Sequence, residues 1–220
     1  MKSQTISRKK LFLIFSGLAL LVLILFYQSI FIATGKFLAP EVTGNADAVI
    51  LESTELIREK GFKMALDMLS SGRTRHLVVV YQNSGDEQIF DRPSNYTVLI
   101  TQKLEDLGLK KDQIQVIEVP MEHPITLTEA QTVLPILSRS GVKSAILLAE
   151  GFHTRRSYWA YKKVGLPLGI KIIPCPYFMK YQIENWWTKM KGASDFAYEL
   201  SKLFFYVLRG YVPVKSLLLI

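Results

Sequence analysis

The sequence predicts a three-layer α/β sandwich with about five parallel strands, preceded by one transmembrane helix. Short apolar runs alternate with longer segments of helical periodicity, which is typical of parallel strands joined by right-handed crossover helices. The apolar runs are nearly continuous rather than alternating, as expected of strands covered on both faces. An uncharged run of transmembrane length lies near the amino terminus. Together these three observations indicate a Rossmann-like domain behind a membrane anchor.

The predicted anchor is the uncharged run over residues 11–32. At about 1.5 Å per residue it is long enough to cross a hydrocarbon core of about 30 Å. It is longer than the apolar region of a signal peptide and lacks a good small-residue cleavage site, so we expect a retained anchor, with cleavage as the less favoured alternative. Basic residues precede the run and only Lys36 closely follows it. This asymmetry predicts a single-pass protein of the bacterial inner membrane, with a cytoplasmic amino terminus and a periplasmic or extracytoplasmic domain.

The chain is therefore divided into four regions. A basic stretch over residues 1–10 precedes the anchor over 11–32, a linker follows over 33–45, and the α/β domain with a carboxyl-terminal amphipathic helix occupies 46–220.

Within the domain, residues that begin or end a helix separate the apolar runs. The predicted strands are residues 48–51, 77–81, 115–119, 145–149 and 170–173. The first helix is expected to end at Gly72, and the second to extend from Pro93 to Gly108. Thr128 is expected to cap the third helix, in which Pro135 predicts a kink or a late start. The fourth helix is expected over residues 154–164.

A last helix is predicted to begin near Gly192. Its apolar stripe consists of Phe196, Leu200, Leu203, Phe204 and Val207. Charged residues interrupt this stripe too often for a second membrane span. The favoured interpretation is packing against the sheet. Contact of its aromatic and basic residues with lipid headgroups is the alternative.

Charge and motifs exclude several classes of function. The net charge is +8, but five basic residues and no acidic ones precede Glu41, which leaves 22 basic and 19 acidic residues, or +3, for the rest. This distribution argues against nucleic acid binding. The only cysteine, Cys175, excludes an intramolecular disulfide and is expected to be a buried, unreactive thiol. The absence of G-x-S-x-G, P-loop, G-x-G-x-x-G and H-E-x-x-H motifs disfavours a common serine hydrolase, a dinucleotide enzyme and a metal site.

Candidate site residues stand directly after the predicted strands, at the sheet edge where open α/β proteins bind ligands. The most informative stretch follows the fourth strand, where Gly151 is followed by His153, Arg155 and Arg156 in the first turn of a helix. Exposed N–H groups and the helix dipole favour an anion there. Arginines can hold a phosphate bidentately while an imidazole or a carboxyl group moves a proton.

These residue types predict a catalytic set and a ligand set. The catalytic set is His153, Glu129 and Glu52; the ligand or anion set is Arg155, Arg156, Thr128, Thr126, Glu150 and Ser53. Taken alone, Glu129 is better explained as a carboxylate favoured by a helix dipole, and His123 as a loop histidine. No metal ligand is predicted.

Three stretches of the chain resemble the SanA/ElyC/YdcF family of bacterial envelope proteins. They are residues 46–51 (ADAVIL), residues 126–130 (TLTEA), in which Thr126 or Thr128 matches the family's threonine, and residues 151–157 (GFHTRRS). The resemblance covers about residues 44–210. It implies envelope maintenance linked to peptidoglycan precursors and the polyprenyl-phosphate lipid carrier and, for some relatives, a nucleotide-like ligand such as S-adenosylmethionine.

The chain departs from that family pattern after the first strand. Many members have a glycine-rich turn there, whereas this chain has residues 51–55 (LESTE), and Ala149 and Glu150 replace a frequent Thr-Ser pair. A glutamate adds negative charge and removes backbone freedom, so anion binding at this turn is not expected.

Two functions therefore compete. One is an anchored domain that binds, and if catalytic hydrolyses or transfers, a phosphorylated envelope precursor, with membrane lipid and a phosphorylated or lipid-linked small molecule as partners. The other is a non-catalytic assembly or regulatory factor with a degenerate cleft. A cytoplasm-facing, nucleotide-dependent transferase would require the opposite topology.

Overall fold

A computed structural model of the chain describes residues 8–52, 59–83 and 96–218. The strands are β1 (Ala48–Leu51), β2 (His76–Asn83), β3 (Ile114–Pro120), β4 (Ser144–Glu150) and β5 (Lys171–Tyr177). All five run parallel, in the order β3-β2-β1-β4-β5 across one sheet. The predicted α/β class with five parallel strands is confirmed.

The helices connect the strands and extend the chain at both ends. They are α1 (Arg8–Leu38), α2 (Glu59–Ser70), α3 (Tyr96–Asp106), α4 (Ile125–Arg139), α5 (Thr154–Gly165) and α6 (Met190–Leu208). Two 3₁₀ turns matter for the site: Gly151–His153 between β4 and α5, and Trp186–Thr188 before α6.

The buried residues of β1 show how the layers form. Successive side chains of a strand point to opposite faces of the sheet. Val49 and Leu51 pack in a core with Ala65 of α2, while Ala48 and Ile50 pack in the core that holds the buried faces of α4, α5 and α6. The sheet is thus covered on both faces by helices, which explains why its strands are apolar throughout.

The strand order places a topological switch point at the centre of the sheet. The chain moves from β1 to β2 and β3 on one side, and β4 and β5 lie on the other. Leu51 at the end of β1 pairs with Leu148 of β4, so the residues that follow the two strands emerge side by side. Open α/β sheets bind ligands at such a point, outside the carboxyl ends of the strands.

The start of one helix differs from the sequence prediction. Helix α4 begins at Ile125, and the N–H of Thr128 donates to the carbonyl of Pro124 at 3.0 Å, so Thr128 lies inside the first turn and is not the cap. The late start considered because of Pro135 is wrong, since this proline lies inside the continuous helix. The predicted start of the second helix at Pro93 lies outside the described residues.

Helix α1 continues to Leu38 and thus into the stretch predicted as a linker over residues 33–45. Among the described residues, no single helix meets the length and hydropathy required to span a membrane. The segments Phe15–Val22 and Ile24–Leu38 meet them together but are bent by 51° relative to each other. The transmembrane helix therefore remains a prediction.

Candidate functional site

The candidate site lies where β1 and β4 end. Glu52 directly follows β1, and the turn Gly151–His153 directly follows β4. Gly151 has a φ of 55°, and a Cβ on it would lie 3.2 Å from the hydroxyl of Tyr181. Both the left-handed backbone and the limited space favour glycine at this position. The turn places the ring of His153 beside the carboxylate of Glu52.

Glu52 is held by side chains from the turn and the helix that follow β4. Its Oε1 lies 2.9 Å from Nε2 of His153 and accepts a 2.5 Å hydrogen bond from the hydroxyl of Ser157. The side chain is only 3% exposed. Its second oxygen, Oε2, is buried and has no hydrogen-bond partner among the described residues. A buried carboxylate with one oxygen unsatisfied is costly unless the surroundings supply positive charge, and His153 is the group placed to do so.

Arg156 connects the turn to α4 and α6. Its Nη1 donates to the hydroxyl of Thr126 at 2.6 Å, and its Nε donates to Glu199 at 3.0 Å. Its Nη2 lies 2.9 Å from the same Glu199 oxygen and 2.5 Å from Nδ1 of His153. All three guanidinium nitrogens are therefore engaged, and Arg156 acts as a cross-link between three elements. We refer to Glu52, His153, Arg156, Ser157 and Glu199 as the polar cluster.

The carboxylates of the polar cluster favour a protonated His153. Burial of the ring opposes its charge, and Arg156 also opposes it, but Glu52 and Glu199 outweigh both and raise the pKa of His153 to about 9. Burial by itself would raise the pKa of Glu199, but His153, Arg156 and Lys202 hold it well below its ordinary value. Positive and negative charges thus alternate through the cluster.

The two protonation states of His153 differ in the partner of Nδ1. Arg156 Nη2 is a donor, and at 2.5 Å from Nδ1 it fits a neutral ring whose proton is on Nε2. A protonated ring carries a proton on Nδ1 as well, so Nδ1 must then move from Arg156 towards Oε2 of Glu199, 3.4 Å away. Proton uptake therefore changes a contact of the arginine.

Two pockets meet at His153. The first has a volume of about 390 Å³ and the second about 430 Å³, and His153 lines both. The first pocket is lined by Gln82, His123, Thr126, Glu129, Arg156, Lys202, Tyr206 and Tyr211, among others. The second is lined by Glu150, Phe178, Met179, Tyr181, Lys191, Asp195, Tyr198 and Glu199, among others. His153 with its neighbours forms a wall common to the two.

The structure brings most of the predicted site residues to this edge. Glu52, His153, Arg156 and Thr126 are joined by the hydrogen bonds and ion pair described above. Glu129 lines the first pocket but is 2% exposed and accepts a 2.7 Å hydrogen bond from the hydroxyl of Tyr161. Burial, together with Glu129 and then Glu52, raises the pKa of Tyr161 well above its ordinary value. Glu150 lines the second pocket.

Two predicted residues line neither pocket, and a third is not among the described residues. Arg155 lies outside both pockets: it donates to the carbonyl of Phe37 in α1 and to the carbonyl of Ser216 at 2.6 Å. Thr128 lines neither pocket. Ser53 lies outside the described residues. The loop histidine His123, in contrast, does line the first pocket.

Sequence reasoning did not assign Glu199 and Lys202 to the site. Both lie on α6, where Glu199 binds Arg156 and Lys202 Nζ lies 3.7 Å from Glu199. A signal was present, because these residues interrupt an otherwise apolar helix stripe. A charged residue on a packed face is kept when it has a partner.

Among the described residues, the thiol of Cys175 and a metal site are weak candidates for a reactive centre. Cys175 is buried, and burial raises the pKa of its thiol to about 11, which disfavours the reactive thiolate. Among residues 8–52, 59–83 and 96–218, no three His, Cys, Asp or Glu side chains are grouped so that they could hold a metal ion.

Comparison with known proteins gives no assignment: no protein-family model matches the chain, and no curated protein matches its sequence.

Proposed function

We propose that this chain is a membrane-anchored protein of the bacterial cell envelope whose α/β domain binds a phosphorylated or nucleotide-like ligand in the first pocket. The ligand class fits the metabolism of cell-wall precursors or of the polyprenyl-phosphate lipid carrier, as the family resemblance implies.

The observation that carries the proposal is the charge of the first pocket. Arg156 and Lys202 line it, and His153, whose pKa is raised to about 9, adds a third positive group. Glu129 is the carboxylate in the lining, and it is hydrogen-bonded to Tyr161. A concave site at the carboxyl edge of a parallel sheet favours an anion when its lining presents positive groups, and here the anion would compete for them with Glu52 and Glu199, their partners in the polar cluster.

The exposed surface of α1 supports the anchor. Large apolar side chains from Leu11 to Ile30 are exposed, for example Phe12 at 71% and Leu25 at 66%. A contiguous apolar surface of this kind is unfavourable in water and marks a segment that a membrane or a partner covers. The charge asymmetry across the run favours the membrane.

A second candidate, the non-catalytic assembly or regulatory factor, is favoured by one observation. Both ring nitrogens of His153 are engaged, Nε2 by Glu52 and Nδ1 by Arg156 or Glu199. A general base needs a free nitrogen within reach of the proton that it removes. His153 therefore serves first as a fixed charge, and catalysis requires that a ligand displace one of its partners.

Ligand binding can be tested with the neighbouring arginines as a matched pair. The full chain in detergent is titrated with a short-chain polyprenyl phosphate, and the corresponding alcohol is the ligand control. We expect Arg156→Lys to weaken phosphate binding by about tenfold, since a single ammonium group cannot keep the contacts to Thr126 and Glu199 and also reach the phosphate, as the several N–H donors of a guanidinium can. Arg155→Lys keeps the affinity because Arg155 lies outside the pocket.

Because Arg156 also cross-links the fold, Lys202→Gln provides a second test. Lys202 is 37% exposed and contributes little to stability, so its loss should reduce affinity without lowering the melting temperature. Equal binding of the phosphate and the alcohol, or a loss of affinity that matches the loss of folded protein, would contradict the proposal.

Complementation of a deletion strain distinguishes the two candidate functions. If the site is catalytic, His153→Ala and Glu129→Gln fail to complement a deletion strain although the full chain is present in the membrane. Normal complementation by both variants supports the non-catalytic factor.

A further inference from the structure

The carboxyl-terminal turns of α1 are part of the folded domain. Leu38 and the following Ala39 are buried, 1% and 4% exposed. The indole N–H of Trp186 donates to the carbonyl of Phe31 at 2.9 Å, and the Arg155 side chain donates to the carbonyl of Phe37. The guanidinium of Arg155 also lies 4.0 Å from the centre of the Phe37 ring. A helix held by such contacts cannot swing as a flexible tether would.

Helix α1 packs at the carboxyl edge of the sheet, where the candidate site lies. Helix α1 contacts the turn Gly151–His153 and helices α5 and α6. A chain of aromatic contacts makes the connection: the Phe31 ring lies 5.6 Å from that of Trp186, which lies 5.3 Å from that of Phe152, the residue before His153. The ring of His153 is therefore separated from the end of the apolar part of α1 by about two aromatic rings.

The residues around this contact are those found at membrane surfaces. The Phe31 ring stacks on Trp187 at 5.2 Å, and Tyr27 lies one turn before Phe31 in α1. Lys36, which follows Phe31 in α1, and Lys189, which follows Trp187, are both exposed. Aromatic residues with lysines beyond them are typical of the boundary between hydrocarbon and headgroups.

We propose that α1 holds the carboxyl edge of the sheet against the bilayer, so that the two pockets at His153 open into the headgroup layer and take a ligand from the membrane surface. The ligand class is an amphiphile with an anionic headgroup. This inference rests on the proposed membrane anchor but concerns the orientation of the domain, which the ligand experiment above does not test.

Two exposed residues at opposite edges of the sheet can distinguish this orientation from its opposite. Met179 follows β5 at the carboxyl edge, lines the second pocket and is 40% exposed. Leu166 follows α5 at the amino edge and is 73% exposed. Because α5 and β5 span the sheet between them, the two positions are about 20 Å apart along the strand direction. Neither residue belongs to the polar cluster.

The experiment places a fluorophore at each position in turn. The full chain carrying Met179→Cys or Leu166→Cys is labelled with an environment-sensitive dye, and the native Cys175 is buried and unreactive. The protein is reconstituted in vesicles of phosphatidylcholine containing a lipid with a nitroxide on its headgroup. We expect the label at position 179 to lose most of its emission and the label at 166 to keep nearly all of it.

Equal quenching at both positions, or stronger quenching at 166, overturns the proposed orientation. The outcome is independent of ligand binding: if the label at 179 is quenched while Arg156→Lys binds polyprenyl phosphate as wild type does, the orientation holds and the proposed ligand fails. If the label at 179 is not quenched while Arg156→Lys loses binding, the ligand holds and the orientation fails.

Discussion

Strand β1 is flanked by two carboxylates, Asp47 before its amino end and Glu52 after its carboxyl end, and their partners differ in kind. Oδ2 of Asp47 accepts hydrogen bonds from the backbone N–H groups of Lys143 and Ser144, each at 2.9 Å, and a third from the Ser144 hydroxyl at 3.0 Å. Glu52 is held by the side chains of His153 and Ser157. Asp47 is bound mainly by main-chain N–H groups at the start of the neighbouring strand, whereas Glu52 is bound by side chains alone, one of which can change its charge.

This difference separates a carboxylate whose partners are fixed from one whose partners can change. The backbone N–H of Lys143 is the main reason that the pKa of Asp47 lies below its ordinary value, and backbone groups do not titrate. One partner of Glu52 is a histidine whose charge depends on pH. The amino edge of the sheet is therefore fixed once the strands form, whereas the carboxyl edge keeps an arrangement that a proton or a ligand can alter.

The largest expected effect is the removal of the Glu52 carboxylate. Glu52→Ala removes one of the two carboxylates beside His153, leaves Glu199 as the other, and opens space beside Ser157. Breaking a buried ion pair costs about 3 to 5 kcal/mol, and the lower value applies because His153 can lose its proton. For a chain of this size, about 3 kcal/mol lowers the melting temperature by roughly 6 to 12 °C, measured by circular dichroism on the full chain at neutral pH.

Glu52→Gln is the control for that measurement. The amide keeps an acceptor for Ser157 and nearly the same volume but carries no charge, so its melting temperature should lie between those of wild type and Glu52→Ala. A Glu52→Ala protein that melts with the wild type would show that the charge of Glu52 contributes nothing to the fold.

The next effect in size is a loss of stability at alkaline pH. The pKa of His153 is raised from 6.5 to about 9 in the folded protein. A raised pKa stabilises the protein fully below the unfolded value, and this contribution is lost as the pH rises through the folded value. The shift corresponds to an upper limit of about 3 to 4 kcal/mol, and the real contribution is smaller because a quarter of the side chain is exposed.

Thermal unfolding between pH 6 and pH 10 measures this contribution. The wild type should lose stability from about pH 6.5 to about pH 9, and the decrease should be much smaller in His153→Gln, which cannot take up the proton. On the acid side, the lowered pKa values of Glu199 and Asp47 place their stabilisation above pH 4.5, from which it is lost as the pH falls. Parallel curves for wild type and His153→Gln would contradict the assignment of His153.

The contrast between the two edges also shows what the sequence could predict. Apolar runs separated by helical stripes specify a parallel sheet, and residues after neighbouring strands of such a sheet meet at one edge. This is why Glu52, His153 and Arg156 could be predicted to lie together before the strand order was known. The start of α4 was predicted wrongly, because the carbonyl of Pro124 accepts hydrogen bonds from the N–H groups of Leu127 and Thr128, so that the helix begins before Thr128.

The rest of the site depends on tertiary packing that local patterns do not contain. Glu199 lies 46 residues after His153, and α6 returns to the site because Phe196 packs on Phe152, the residue before His153, with ring centres 5.3 Å apart. Local patterns also did not show that Arg155 binds α1 whereas Arg156 lines the first pocket. Adjacent residues of a helix point about 100° apart, and only the packing of α1 decides which arginine faces the pocket.

The smallest expected effects are at the amino edge and test the other half of the comparison. Asp47→Ala leaves the N–H groups of Lys143 and Ser144 without their acceptor, and because Lys143 is exposed, water replaces part of the loss, so about 1 to 2 kcal/mol is expected. Arg75→Ala removes only a 2.8 Å ion pair to Asp47 from a side chain that is 76% exposed, which is worth less than about 1 kcal/mol. Urea unfolding of the full chain at pH 7 distinguishes the two variants. If Arg75→Ala were as harmful as Asp47→Ala, the salt bridge and not the backbone would hold this carboxylate, and Asp47 would then depend on a side chain as Glu52 does.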